Sequence, residues 1–204
     1  MYKKVLILGA NGLIGNGITK YLITKKLNIY GVVRSKNKKF TNKIDFFYCE
    51  NLKSKKSIIQ IEKIIKKVKP NFLINCLGVT KHIKSQNNKL LNIHLPKNLL
   101  KYQKKFKFKF IHITTDCVFD GNNGNYKEDA TMNANDDYGR SKASADKLLM
   151  NNSQVIILRT STLGNEIKTK RGLLEWFLSC EKICYGFKNA YFSGLTTFEL
   201  AKII

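Results

Sequence analysis

The chain has 204 residues but only two prolines, one tryptophan and three histidines, and its 14 acids face 37 Lys and Arg. So little proline, with no long polar tract, excludes a collagen-like chain, a linker-rich array or a disordered polymer. No run of 18 apolar residues exists, so no membrane-crossing helix is written into the sequence. The apolar run that follows Met1 to Lys4 is only Val5 to Leu8 before Gly9. It is too short for a secretory signal and reads as a first β-strand. Five cysteines, Cys49, Cys76, Cys117, Cys180 and Cys184, are odd in number and show no CxxC spacing. They read as buried free thiols in strand-like runs of a cytoplasmic protein, not as a disulfide framework or a zinc site. His82, His94 and His112 are scattered without metal-ligand spacing, and no metal is expected.

Hydrophobic content of 43% and charged content of 25% are ordinary for a globular chain large enough to bury its own core. The net charge of +23 is not ordinary. Residues 1–109 hold 26 basic and 3 acidic residues, whereas residues 110–204 hold 11 of each. A basic half suits a polyanionic partner such as nucleic acid, an anionic membrane or a phosphorylated ligand. Equally, 33 Lys beside 21 Asn fit a compositional bias that coats solvated faces. Phe106-Lys107-Phe108-Lys109-Phe110 could stack on single-stranded nucleic acid, but at strand period it buries one Phe face and points Lys outward. Nucleic acid is therefore expected to be an unlikely partner.

Apolar runs alternate with helix-period segments. Strands are expected at Val5–Leu8, Ile29–Val33, Phe46–Tyr48, Phe72–Asn75, Phe108–Thr114 and Val155–Leu158. Helices are expected over 13–26, 54–68, 90–104 and 137–151. This order implies βαβ units and an α/β fold with a Rossmann-type, doubly wound parallel sheet. Residues beyond 160 fit less well. They suggest a helix over 172–181, a strand-like aromatic stretch over 183–193, and a helix capped by Thr196-Thr197 with Glu199 in its first turn.

Three constellations carry chemistry. Gly9-Ala10-Asn11-Gly12-Leu13-Ile14-Gly15 follows a strand and opens a helix, the context a dinucleotide-binding loop requires. Gly9 permits the turn, Gly12 lets backbone approach a pyrophosphate, and Gly15 lets the helix pack on the sheet. Arg34 ends the second strand in Val32-Val33-Arg34-Ser35-Lys36. An acid there would suit NAD, and an Arg accommodates the 2′-phosphate of NADP. The alternative is a solvated Arg, and NAD stays open. Tyr138 and Lys142 are one helical turn apart, after the strand-end pair Thr114-Thr115. A Lys ammonium favours the phenolate and Thr115 can donate to a carbonyl oxygen, so the set can move a proton on a carbonyl/alcohol pair. Asp136 and Asp137 suit the start of the Tyr138 helix.

With those residues in place, the chain resembles the extended short-chain dehydrogenase/reductases, and among them the dTDP-4-dehydrorhamnose reductase-like sugar-nucleotide reductases. Pro70 to Cys76 is similar to the family's "PDxVIN" strand, and Thr114 to Gly121 resembles "STDYVFDG". Tyr126, Glu128 and Asp129 echo "PYxExD", Tyr138 to Lys142 echoes "YGxSK", and Leu158 to Ser161 is similar to "LRTS". Phe192 to Thr197 looks like the start of the sugar-nucleotide lobe. The resemblance implies that Tyr138 is the general acid and that Lys142 holds the nicotinamide ribose. It implies too that Thr115 orients the keto oxygen and that Asn92 supports a proton-relay water. Gly9, Asn11, Gly12, Leu13, Ile14, Gly15, Arg34, Asn75 and Cys76 would line the cofactor with Tyr138 and Lys142. Asp116, Cys117, Arg159 and Ser193 would face the substrate.

The implied reaction is NADPH-dependent reduction of a 4-keto nucleotide sugar for cell-surface polysaccharide precursors, with a homodimer as the candidate assembly. An epimerase or dehydratase with tightly held NAD, and a non-catalytic dinucleotide-binding subunit, are the rival readings. Cys117 replaces the family's usual Tyr, which bears on which sugar is taken. The expected organisation is a dinucleotide-binding domain over 1–160 and the start of a substrate lobe over 161–204. That lobe reads as incomplete, because the pattern stops at Ile204.

Overall fold

Burial alternates along the first strand, and that alternation sets the layers. In β1 (Lys4–Leu8), Leu6 and Leu8 enter one apolar cluster, and Val5 and Ile7 enter another on the opposite face. A strand buried on both faces reads as a continuous apolar run, which is why period 2 is absent from its hydropathy. The computed structural model describes residues 2–35, 44–52, 54–79, 89–166 and 172–204. Lys36 and His82 lie outside these described residues.

The chain continues through α1 (Leu13–Leu22), β2 (Asn28–Val33), β3 (Ile44–Tyr48), α2 (Lys55–Val68) and β4 (Phe72–Asn75). Then come a π-helical turn at Leu90–His94, α3 (Leu95–Phe106), β5 (Lys109–Thr114), a 3-10 turn at Asp116–Val118, α4 (Asp137–Leu149) and β6 (Val155–Arg159). Strands β1 to β6 form one parallel sheet in the order β3-β2-β1-β4-β5-β6. The fold is therefore the doubly wound Rossmann-type α/β architecture, whose order reverses beside β1, the place where such sheets bind ligands. Ile61, Ile65, Leu95, Leu99 and Leu149 of α2, α3 and α4 cover one face, and Ile18 and Leu22 of α1 cover the other.

Element ends differ from the sequence expectation for local reasons. Helix α1 stops at Leu22, not at residue 26. Thr24 donates its hydroxyl to Tyr21 O at 2.7 Å, and Thr24 N and Lys25 N make three-residue turns that steer the chain into β2. The helix expected over 90–104 begins as a π-turn because Pro96, near the start of α3, has no N–H for the regular ladder.

Beyond β6 come β7 (Thr162–Leu163), α5 (Leu173–Leu178), β8 (Leu195–Thr196) and α6 (Thr197–Ile203). The stretch 183–193 is not a strand. Ile183, Tyr185, Phe187 and Tyr191 are each at least 78% exposed, so no face is buried to favour an extended pairing. The expected helix over 172–181 contracts to α5. Of the expected pair, Thr196 is the cap, accepting from Glu199 N at 3.1 Å, and Thr197 is the first residue of α6. Packing runs across residue 160. Leu200 and Ala201 of α6 are buried in the cluster that holds Val5 and Ile18, and a Cβ at Gly17 of α1 would meet Thr197 at 2.5 Å.

Of the cysteines, only Cys49 is fully buried. None of the five lies in a strand: Cys49 and Cys76 follow β3 and β4, Cys117 is in the 3-10 turn, and the Cys180 thiol donates to Trp176 O at 3.4 Å. Among the described residues no helix is long and apolar enough to cross a membrane, and no His, Cys, Asp and Glu cluster could hold a metal ion. Of the Phe and Lys run only Lys109 and Phe110 lie in β5, because Phe106 ends α3 and Lys107 caps it at φ 57°; Phe108 and Phe110 are buried and Lys107 and Lys109 exposed. The lysines of α2 and α3 are exposed, with Glu62 in an ion pair to Lys105 at 2.9 Å. Such a surface attracts polyanions through counterion release alone. Binding to single-stranded oligonucleotides is accordingly expected to be weak at low salt and lost near physiological salt. A sequence-selective complex that survives at physiological salt would contradict this.

Candidate functional site

The glycine loop joins β1 to α1 at the carboxyl edge of the sheet. Gly9 N and Ala10 N donate to Val32 O at 2.9 and 3.2 Å, and Gly12 N donates to Gly9 O at 2.9 Å. Gly9 has φ +81°, a conformation that favours glycine. A Cβ at Gly15 would lie 2.2 Å from Gly9 O, so the first helical turn can pack on the loop only without a side chain. Gly12 is exposed and caps α1 with no side-chain hydrogen bond, and the first turn carries no acid. The helix start therefore presents backbone N–H groups and the positive dipole end, with no carboxylate in competition for them. Asn11, Leu13 and Ile14 are half-buried around this start, and Arg34 is exposed one residue past β2. These features fit a dinucleotide.

At the end of β4, Asn75 is fully buried and its amide is already engaged. Its Oδ1 accepts from Leu77 N at 3.2 Å and its Nδ2 lies 3.1 Å from Nδ1 of buried His112. Asn75 thus shapes the strand end from within. Burial pushes the neighbouring Cys76 thiol up to about 12, against the pull of Lys142. Asn92, in the π-turn, is equally committed. It clamps Val79 through both its oxygen (2.9 Å from N) and its nitrogen (3.1 Å from O), and donates to Ser141 Oγ at 3.0 Å. Gly78 lies against both groups, since a Cβ there would stand 3.5 Å from Asn92 Oδ1 and 3.6 Å from Lys142 Nζ.

Helix α4 brings the next residues together. Asp136 caps it, accepting from Gly139 N at 2.6 Å. A Cβ on Gly139 would sit 2.1 Å from Cys117 O, which explains the glycine after Tyr138: α4 rests directly on the turn that follows Thr115. Thr115 lies beside the Tyr138 phenol, and its hydroxyl donates to Asp116 Oδ1 at 3.2 Å and accepts from Cys117 N at 3.2 Å. Burial pushes the Tyr138 phenol up to about 12. Thr115 opposes this, and Cys117, Asp116 and Asp136 add to it. Lys142 lies one turn further along α4. Its side chain is buried and turned inward, with Nζ donating to Ile113 O at 3.4 Å. Burial brings its ammonium down to about 8.

Asp116 is tied to the end of β6 by Ser161, whose hydroxyl reaches both carboxylate oxygens at 2.8 and 2.7 Å. Cys117 is half-buried beside it. Ser193 is exposed, two residues before β8, whose Leu195 N donates to Ser161 O at 3.0 Å. Arg159 is not open to a ligand on all sides. Its Nε donates to Asp146 Oδ2 at 3.0 Å, its Nη1 to Glu128 O at 2.7 Å, and its guanidinium lies 5.6 Å from the centre of the Phe119 ring. Asp146 escaped the sequence reading, its one signal being its position four residues beyond Lys142; Ser141 and Ser161 stood within the "YGxSK" and "LRTS" stretches but were given no role.

The RmlD substrate binding domain family matches residues 3–181. The chain belongs to this family. It is 29% identical over 177 residues to a dTDP-4-dehydrorhamnose reductase of Aggregatibacter actinomycetemcomitans, covering 81% of this chain and 55% of that one. It is 26% identical over 171 residues to the methionine adenosyltransferase 2 subunit beta of Xenopus laevis, covering 81% of this chain and 48% of that one. The chain thus spans about half the length of these curated relatives. A solved dTDP-4-dehydrorhamnose reductase from Bacillus anthracis, in complex with NADP, shares the fold with a TM-score of 0.63 and 22% identity. That match covers 82% of this chain and 57% of the other.

Proposed function

We propose that the chain carries the cofactor half of an NADPH-dependent reductase that acts on the 4-keto carbon of a nucleotide-activated sugar. The observation that carries this reading is the convergence of Tyr138 and neighbouring Thr115 with inward-turned Lys142 at the carboxyl edge that also bears the glycine loop. When bound, the cofactor supplies the hydride. Gly9, Gly12 and Gly15 admit its pyrophosphate at the start of α1, and Arg34 takes the 2′-phosphate. Lys142 holds the ribose beside Gly78. Tyr138 gives its proton to the oxygen of the former ketone, and Thr115 orients that oxygen. Asn92 acts through Val79, holding the segment next to the ribose. Asp116, Cys117 and Ser193 border the sugar side, with Arg159 supporting it from behind.

Fluorescence titration tests the cofactor. NADPH is expected to bind more tightly than NADH, and Arg34→Ala should weaken NADPH by about 10-fold or more, the worth of a charged hydrogen-bonded contact. Equal affinities in the parent protein would remove Arg34 from this role. A second reading rests on the likeness to methionine adenosyltransferase 2 subunit beta: a dinucleotide-binding subunit of another enzyme. That reading predicts cofactor binding without NADPH consumption on any 4-keto nucleotide sugar, even in a chain extended over the length of its relatives.

A further inference from the structure

Asp146 has no part in the chemistry above. Yet it is the only fully buried carboxylate among the described residues, and every Asp and Glu of the chain lies among them. Tyr138, Lys142 and Asp146 recur every fourth residue along α4, so Asp146 is one turn deeper than Lys142. Its Oδ2 takes the Arg159 guanidinium, while its Oδ1, near the Thr114 hydroxyl, is buried without a partner within hydrogen-bond distance; burial raises this carboxyl, and Arg159, Thr114 and Lys142 oppose that in turn. Lys142 makes no direct ion pair among the described residues, and its Nζ reaches only the Ile113 carbonyl. A buried ammonium with no compensating charge is costly.

We propose that Asp146 is a positioning residue of the cofactor site: oriented by Arg159, its carboxylate is the buried counter-charge that keeps the Lys142 ammonium in place at Ile113 and Gly78. The inference rests on the proposed reading only for what Lys142 holds. The other groups near Lys142 are accounted for. Cys76 at the end of β4 and His112 on β5 both feel its charge, and burial with that charge holds His112 well below the usual histidine range. Asp116 acts on Tyr138 at the mouth of the site. Tyr102 of α3 faces Glu62 of α2, and His94 of the π-turn is exposed. Burial is the main influence that lowers Lys142, and Asp146 is the main influence that opposes it. The ammonium therefore loses its proton as pH rises through about 8, and without Asp146 it should lose it earlier.

The decisive variant is Asp146→Asn with Arg159→Gln, which removes both sides of the buried pair and leaves no orphaned charge. Loss of Arg159 by itself favours a charged Lys142, so any downward shift isolates the carboxylate. Two measurements are made on the folded protein: the side-chain NMR titration of Lys142, assigned by Lys142→Arg, and NADPH affinity at pH 6 and pH 8. We expect Lys142 to titrate about one pH unit lower in the double variant. NADPH affinity should then fall about 5-fold at pH 8 and less than about 2-fold at pH 6, and Asp146→Glu should restore both. A Lys142 titration unchanged in the folded double variant, or an equal loss of affinity at both pH values, would overturn the proposal. Should the parent bind no NADPH, the cofactor reading falls, and the lysine titration still decides the role of Asp146.

Discussion

Tyr138→Phe is expected to lower reduction of a 4-keto nucleotide sugar by about 10²–10⁴-fold while NADPH affinity stays within about 2-fold. The aromatic ring is retained, so its packing near the end of β5 survives and only the proton is lost. The raised value of the phenol, about 12, means that Tyr138 is wholly in its acid form at neutral pH. A weak acid still suffices, because the oxygen formed after hydride arrival is an alkoxide, a stronger base than phenolate. Transfer from Tyr138 to it runs downhill. Lys142→Met should differ by damaging affinity and turnover together. Turnover is to be measured in a chain extended over the length of its relatives, since remote sugar-nucleotide contacts supply binding energy used at the reacting carbon. The 204-residue chain is expected to bind NADPH with little turnover. Undiminished reduction by Tyr138→Phe in the extended chain would remove Tyr138 from the mechanism.

The direction of the Tyr138 shift illustrates what spacing can and cannot reveal. Two residues four apart on a helix share a face, and from that the sequence suggested that Lys142 would favour the phenolate. The structure turns the two side chains to different environments: Tyr138 toward Thr115, and Lys142 inward toward Ile113. Side-chain direction in a buried site is set by tertiary partners that helical spacing does not encode. The same limit hid Asp146. Its partner Arg159 lies 13 residues on, at the end of β6, and the ion pair exists only because β6 lies beside β5 under α4.

What was legible was the fold, because its signals are local. Glycines at 9, 12 and 15, the buried strand before them and the helix after them read directly as a nucleotide-binding turn. Asn75 and Asn92 show the intermediate case. Both positions lie at the site, but their amides hold Leu77, His112, Val79 and Ser141, pairings that span up to 49 residues of sequence. The aromatic stretch 183–193 misled because alternating apolar residues suggest a strand only where a neighbouring edge is present to pair with them.

Gly15→Ala is expected to be the most destabilising single-methyl change in the chain's first half. The added carbon would stand 2.2 Å from Gly9 O, 2.8 Å from Gly9 C and 3.0 Å from Ala10 Cα, all of them backbone. No flexible side chain can move aside, so either the positive-φ turn at Gly9 or the first turn of α1 must shift. Overpacking of this kind costs about 3 kcal/mol or more. For about 200 residues that corresponds to a fall in Tm of roughly 10 °C. Gly139→Ala should behave alike, because its Cβ would meet Cys117 O at 2.1 Å and push α4 off the turn that presents Thr115. Gly12→Ala separates folding from binding at the same loop. Gly12 is exposed at φ −77°, and its nearest obstacle is Gly9 O at 3.3 Å. Thermal unfolding should thus be nearly unchanged in Gly12→Ala while NADPH affinity drops, because the methyl group occupies the space where backbone must approach the pyrophosphate. If Gly15→Ala unfolded at the parent temperature, the close packing of α1 on the loop would be shown not to hold the turn. If Gly12→Ala bound NADPH as the parent does, the pyrophosphate would have to lie elsewhere than at the start of α1.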